Sequence, residues 1–219
     1  MTNNSPLSAT CPTGPAPRGR PADPRKDAQI LCSASRLFME HGVQGTTMEQ
    51  IAREAGVSKL TLYRRYPDKN TLFTAILNDK CRQYLPEDIF EVSPGAQPSD
   101  ALTRLGTSLL ELITSNDAVD LNRVITTESA HNPQLTAQFY ASGPLRTKTR
   151  LIEMMSSLKS SGAVKIDDPT LAAEMFSALI VGSELIKCCN MNIGPRPNIT
   201  QIQAYVQKAV TFFLRAYSK

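Results

Sequence analysis

Apolar positions recur along this chain at intervals of three and four residues, and no stretch carries the period-two alternation of a strand. From Pro24 onward, Ile30, Ala34, Leu37, Phe38 and His41 fall on one helical face, and Gly42 supplies a C-terminal stop. Thr46-Thr47-Met48-Glu49 reads as a capping box that opens a second helix, with Thr46 at the N-cap and Glu49 reaching back. Its inner face is Met48, Ile51, Ala52 and Ala55. Gly56 breaks it, Val57 turns inward, and Ser58 caps a third helix that runs to about Tyr66. Pro67 ends that helix, and Asp68 caps a fourth carrying Leu72, Phe73, Ile76, Leu77 and Tyr84 before Pro86.

The remainder continues in the same period. Helices are predicted over roughly 100–115, 117–131, 134–141, 144–161, 169–189 and 199–217, separated by Pro94-Gly95, Asn132-Pro133, Gly143-Pro144, Gly162, Asp168-Pro169 and a Gly/Pro-rich run at 194–197. Asp168 with Pro169 is an N-cap followed by proline at the first helical position. The last two helices are the most apolar. Leu171, Met175, Leu179, Gly182 and Ile186 line one face of the first, and Phe176, Ala178, Val181 and Leu185 fill much of the other. The second offers Ile202, Tyr205, Val206, Ala209, Phe212, Phe213 and Tyr217. A helix apolar on more than one face must bury both. Either one bundle surrounds it, or one face serves the core and the other a partner subunit.

The connection around Gly56 changes this from a list of helices into a motif. Two helices joined by about three residues form a helix-turn-helix, whose second helix enters the major groove by its N-terminal residues. With Val57, Leu62 and Tyr66 inward, the third helix leaves Ser58, Lys59, Leu60, Thr61, Tyr63, Arg64 and Arg65 for a partner. Hydroxyls and cations on a groove-sized helix suit duplex DNA; a solvated face of an ordinary bundle has the same composition.

Charge favours the duplex. The net charge is only +4, but residues 1–70 hold ten Lys/Arg against six Asp/Glu, while residues 71–219 hold fourteen of each and cancel. The basic surplus therefore sits with the motif, as binding to phosphate requires. Six of the fifteen prolines lie in the first 24 residues, so a disordered tail is expected there. Within it Arg18 and Arg20, in Pro-Arg-Gly-Arg-Pro, either thread a minor groove as a flexible arm or are incidental to a solvated tail.

Residues 25–77 resemble the N-terminal domain of TetR-family transcriptional regulators, a likeness also written TetR/AcrR. The matching stretches are Ala34 to Phe38, Gly45-Thr46-Thr47, Ile51-Ala52, Ala55 to Lys59, Leu62-Tyr63, Tyr66-Pro67 and Lys69 through Leu72-Phe73. The resemblance implies that Thr47, Ser58, Tyr63 and Lys69 meet phosphates, and that Lys59, Leu60 and Arg64 face bases. Leu60 stands where many relatives have glycine, which replaces close backbone approach by a side chain able to meet a thymine methyl. Arg65 stands where histidine is frequent, a longer cation that reaches for phosphate.

Segment 121–186 is similar to the ligand-binding domain of an AefR-like or AcrR-like branch, through Arg123-Val124-Ile125, Glu128, Asn132-Pro133, Phe139-Tyr140, Gly143-Pro144, Ala172-Ala173 and Gly182. This resemblance implies a pocket for a small-molecule effector, and Met and aromatic residues among the candidate walls suit a flat or hydrophobic one. The candidate walls are Leu109, Ile113, Ile125, Phe139, Tyr140, Ile152, Met155, Phe176 and Leu179, each of which also suits plain core. It further implies a homodimer built on the last two helices, with Leu185, Ile202, Tyr205, Val206, Phe212 and Phe213 at the interface.

The expected fold is therefore all-α. Residues 1–23 form a basic, Pro-rich tail, 24–70 a three-helix helix-turn-helix domain that binds an operator in double-stranded DNA, and 71–219 a helical bundle for ligand binding and dimerisation. No catalytic residues are expected: His41 and His131 sit in no catalytic constellation, and no cofactor or metal site is legible. Without a signal segment or an apolar run of the roughly 18 residues a membrane span needs, a cytoplasmic protein with reduced cysteines is expected. A thiol-responsive regulator using the adjacent Cys188 and Cys189 is the alternative reading.

Overall fold

The structure, a computed structural model, describes residues 24–93, 95–184, 187 and 195–217. The arm residues Arg18 and Arg20 with the rest of 1–23, the interface candidate Leu185, and the thiol pair Cys188 and Cys189 lie outside the described residues. What is described is helical, without a strand, in agreement with the all-α expectation. The chain divides after Ile76 into two compact units.

The first unit holds α1 (Pro24–Gly45), α2 (Met48–Glu54), α3 (Lys59–Arg65) and the start of α4 (Lys69–Tyr84). Ile30, Ala34, Phe38, Ile51, Leu62, Leu72 and Phe73 form its core, with the Phe38 and Phe73 rings tilted at 6.0 Å between centroids. His41, expected on the apolar face of α1, is instead exposed beside Glu40. The chain kinks at Gly42, which takes φ 72°. Thr46 is buried, and its hydroxyl donates to the carbonyls of Leu37 and Gly42, at 3.1 and 2.8 Å. Because that hydroxyl is spent on the end of α1, the cap of α2 passes one residue on. Thr47 Oγ1 accepts from the Gln50 backbone N–H, and Gln50 Oε1 accepts from the Thr47 N–H, so the capping box is Thr47/Gln50 rather than Thr46/Glu49.

The turn between α2 and α3 is a Schellman closure. The Val57 N–H reaches the Ala52 carbonyl at 3.0 Å and the Gly56 N–H reaches Arg53 at 3.2 Å. Gly56 occupies the left-handed region at φ 63°, which a side chain there would strain. Val57 is half-buried, and Ser58 caps α3 by accepting from the Thr61 N–H. Asp68 caps α4 through the Thr71 N–H at 2.7 Å.

The second unit begins with the rest of α4, from Leu77, followed by a 3-10 turn at Glu87–Phe90 that buries Ile89 and Phe90 and that the sequence pattern does not predict. It continues through α5 (Pro98–Thr114), α6 (Asn116–Glu128), α7 (Pro133–Tyr140), α8 (Arg146–Ser160), α9 (Pro169–Glu184) and α10 (Ile199–Ala216). Gly143-Pro144, expected to separate two helices, lies inside a π-helical turn, Ala141–Leu145, through which the helical backbone runs from α7 into α8. Asp168 caps α9 as expected, accepting from the Thr170 and Leu171 N–H groups.

The core of this unit gathers Leu102, Leu105, Leu110, Leu151, Met154, Met155, Phe176, Ile180, Val206 and Phe213. Phe213 stacks edge-on against Phe176 at 5.4 Å and tilts against Tyr217 at 4.8 Å. At Gly106 three helices close on one another. A Cβ there would lie 2.9 Å from Val206 Cγ1 and 3.0 Å from Ile180 Cδ1, so α5 meets α9 and α10 so closely that a side chain at 106 would push those side chains aside. α9 turns non-helical at Gly182, and the Tyr205 hydroxyl of α10 donates to the Leu179 carbonyl at 2.6 Å, satisfying an acceptor near that break. Cys81 is free and buried, its thiol pushed up by burial and opposed by Arg146. No described helix is long and apolar enough to cross a membrane.

Candidate nucleic-acid interface

α3 is seven residues long and buries one side chain, Leu62. That single anchor, together with the Ser58 cap and the Tyr66 N–H bond to the Leu62 carbonyl at 2.8 Å, is enough to hold it because the Gly56 turn fixes its start. The rest of the helix is left for solvent or a partner. Leu60 is 79% exposed, a poor place for an apolar side chain unless something covers it. Tyr63 and Arg64 are exposed, and Thr61 is half-buried with its hydroxyl 2.8 Å from Ser58 Oγ. Thr47 is exposed at the head of α2, its hydroxyl engaged with Gln50.

Two cations assigned to DNA have partners inside the protein. Arg65 is only 13% exposed and pairs with Asp27 of α1, which also accepts from the Tyr66 hydroxyl at 3.5 Å. This corrects its assignment to the DNA-facing set: the guanidinium ties α3 to α1. Lys69 donates to the Val43 carbonyl at 2.6 Å and to Gln44 at 3.4 Å, a cation at the C-terminal end of α1 where the helix dipole favours it. A phosphate role for Lys69 must share the ammonium with those carbonyls.

Lys59 has a partner that sequence reasoning missed. Its ammonium lies 3.3 Å from Glu49 Oε1, with the two side chains 64% and 47% exposed. The Glu49 carboxyl is held below the usual carboxylate range, first by a backbone hydrogen bond at Glu49 itself, then by the hydrogen bond and charge of Lys59, with Tyr63 adding to the same effect. Nothing local announces the pair, since Glu49 lies at the start of α2, ten residues before Lys59 and on the far side of the turn. Glu49 was instead assigned to the cap that Gln50 makes.

The second unit places the expected ligand-binding residues mostly in its core. Leu109, Ile125, Met155 and Phe176 are buried; Ile113, Phe139, Ile152 and Leu179 are half-buried; Tyr140 is exposed and walls nothing enclosed. Two surface depressions of about 460 Å³ are present. One is lined by Phe90, Arg150, Glu153 and Met154 among others, and the other by Lys208, Phe212 and Arg215 on α10. None of the nine candidates lines either.

The expected dimer residues also divide. Ile202, Val206 and Phe213 are buried within the protomer's own core, and their assignment to an interface is corrected on that ground. Tyr205 and Phe212 are exposed, and α9 adds the exposed Leu171 and Met175. The face of α9 that the core keeps is Ala172, Ala173, Phe176 and Ile180. Among the described residues no cluster of His, Cys, Asp and Glu is arranged to hold a metal ion.

With this geometry in view, comparison with known proteins is informative at both ends of the chain. The family described as "Bacterial regulatory proteins, tetR family" matches residues 30–76, and "AefR-like transcriptional repressor, C-terminal domain" matches residues 100–219. A Bacillus subtilis HTH-type transcriptional regulator, YvkB, is 26% identical over 190 residues, covering 87% of this chain and 96% of its own. A TetR-family regulator from Mesorhizobium loti superposes with a TM-score of 0.78 at 25% identity, over 91% of this chain and all of the other. The flavonoid-responsive regulator FrrA superposes with a TM-score of 0.71 at 29% identity, over 90% of this chain and 98% of that one.

Proposed function

The chain belongs to the TetR family of DNA-binding transcriptional regulators, and from that premise we propose that it is a homodimeric repressor, acting in the cytoplasm, that a small hydrophobic effector releases from a palindromic operator. The observation that carries the reading is α3: a short helix pinned by Leu62 and a Gly56 turn, with Lys59, Leu60, Tyr63 and Arg64 outward. The outward face of such a helix is left uncovered by its own protein, and its side chains are those that read base edges and phosphates. Residues 24–70 are the reading domain in this proposal and 71–219 the regulatory one. Repression is favoured by the match of residues 100–219 to an AefR-like repressor domain.

Dimerisation rests on exposed apolar side chains of α9 and α10: Leu171, Met175, Tyr205 and Phe212. A second copy covers them at little cost, whereas water does not. The effector class rests on the apolar character of Leu109, Ile125, Met155 and Phe176 and on the likeness to a flavonoid-responsive regulator. Those buried side chains must part to admit it, and by linkage the effector shifts the DNA-binding equilibrium by no more than its differential affinity for the two states.

The test is selection of DNA from a random pool by the purified protein, followed by sequencing. The expected product is a palindrome whose half-sites lie about 34–36 Å apart or a multiple of that spacing. Enrichment of no sequence, or of an asymmetric one read by a monomer, overturns the proposal.

A further inference from the structure

The Glu49–Lys59 pair places a carboxylate beside a cation meant for DNA, where phosphates would repel it. The two residues come from different helices, α2 and α3, and both are largely exposed. An exposed pair of this kind contributes little to folding, so stability does not account for it. Its effect on recognition is different, because the ammonium has three donors and the carboxylate occupies one. A neutral acceptor, such as the O6 and N7 edge of guanine, can take the remaining donors while Glu49 stays where it is. A phosphate cannot do so without bringing a second anion against the first.

Resting on the reading of α3 as the DNA-reading helix, we propose that Glu49 is a specificity-determining residue, which keeps Lys59 available to base edges and unavailable to phosphates. Glu49 makes no contact of its own with the operator in this scheme; it is a positioning residue that acts through Lys59. The depressed carboxyl is consistent with this, since Glu49 stays anionic well below neutral pH. The pair is also neutral as a unit, so on random DNA Lys59 displaces less of the counterion atmosphere than a free lysine.

Glu49→Gln tests the scheme, because glutamine keeps the size and the helical position and removes only the charge. Kd is measured for the selected operator and for a scrambled duplex at several salt concentrations. The variant is expected to bind scrambled DNA roughly fivefold more tightly, with a salt slope steeper by about one, while the operator gains much less, so the specificity ratio falls. In a Lys59→Ala background the same Glu49→Gln change should leave the ratio where Lys59→Ala alone puts it. An unchanged ratio in the parent background makes Glu49 an ordinary surface charge and overturns the proposal. A ratio that falls equally in both backgrounds means Glu49 acts on DNA directly and overturns it too. A parent protein with no preferred sequence removes the premise instead, which separates that failure from the other two.

Discussion

α3 and α10 are both amphipathic helices that present side chains outward, yet they answer to opposite constraints. α3 has one fully buried residue in seven and ties Arg65 to Asp27, so Lys59, Leu60, Tyr63 and Arg64 are left as the working face. α10 buries Ile202, Val206, Ala209, Val210 and Phe213 along eighteen residues, and still exposes Tyr205 and Phe212. At about 100° per residue these last two lie roughly a quarter turn from the buried stripe. The lesson is that a helix with a single anchor declares its functional face, whereas one with apolar residues on two faces does not say which face the protomer keeps.

The contrast is sharpest between neighbours on α10. Phe213→Ala removes a ring that packs on Phe176 and Tyr217, and should cost about 3–5 kcal/mol of stability. Thermal or denaturant unfolding measures it, and a loss under 1 kcal/mol would mean that the core closes without Phe213. Phe212→Asp, one residue away and 65% exposed, should change protomer folding by no more than about 0.5 kcal/mol. Gel filtration should nevertheless show a monomer, with loss of binding to a full palindromic operator; a Phe212→Asp dimer would place the interface elsewhere. Leu60→Ala should leave unfolding untouched and weaken operator binding by about 1 kcal/mol, roughly fivefold, at sites with a thymine opposite it. If the loss is the same on operators lacking that thymine, Leu60 does not read a methyl group.

The parts of the molecule that were legible in sequence depend on close neighbours. Ser58 and Asp168 cap the helices they were expected to cap, because a cap needs only the next three residues. The Gly56 turn was legible for the same reason. Errors arose where a distant group competed. Thr46 lost its cap because Leu37 and Gly42 present carbonyls to it, and Arg65 lost its place at the interface because Asp27 stands beside it in the fold. Lys69 is a different case: the phosphate role expected of it stands beside hydrogen bonds to α1 carbonyls that nothing near it in sequence announces. On α10 the limit is another: Phe212 and Phe213 are the same residue type, so hydrophobicity alone does not tell the exposed one from the buried one.

The π-helical turn at Ala141–Leu145 explains why that stretch reads as two helices, and it has a consequence for chain length. A turn closed five residues back holds one residue more than the α-helical turn it replaces, and so shifts the residues beyond it by about 100° in phase. The turn is a one-residue slip in phase, equivalent to an insertion that the helix accommodates without being interrupted. Relatives one residue shorter between Leu135 and Leu151 therefore keep the same two faces with an unbroken α-helix, and a gap placed there in an alignment marks a change of winding rather than the loss of a loop.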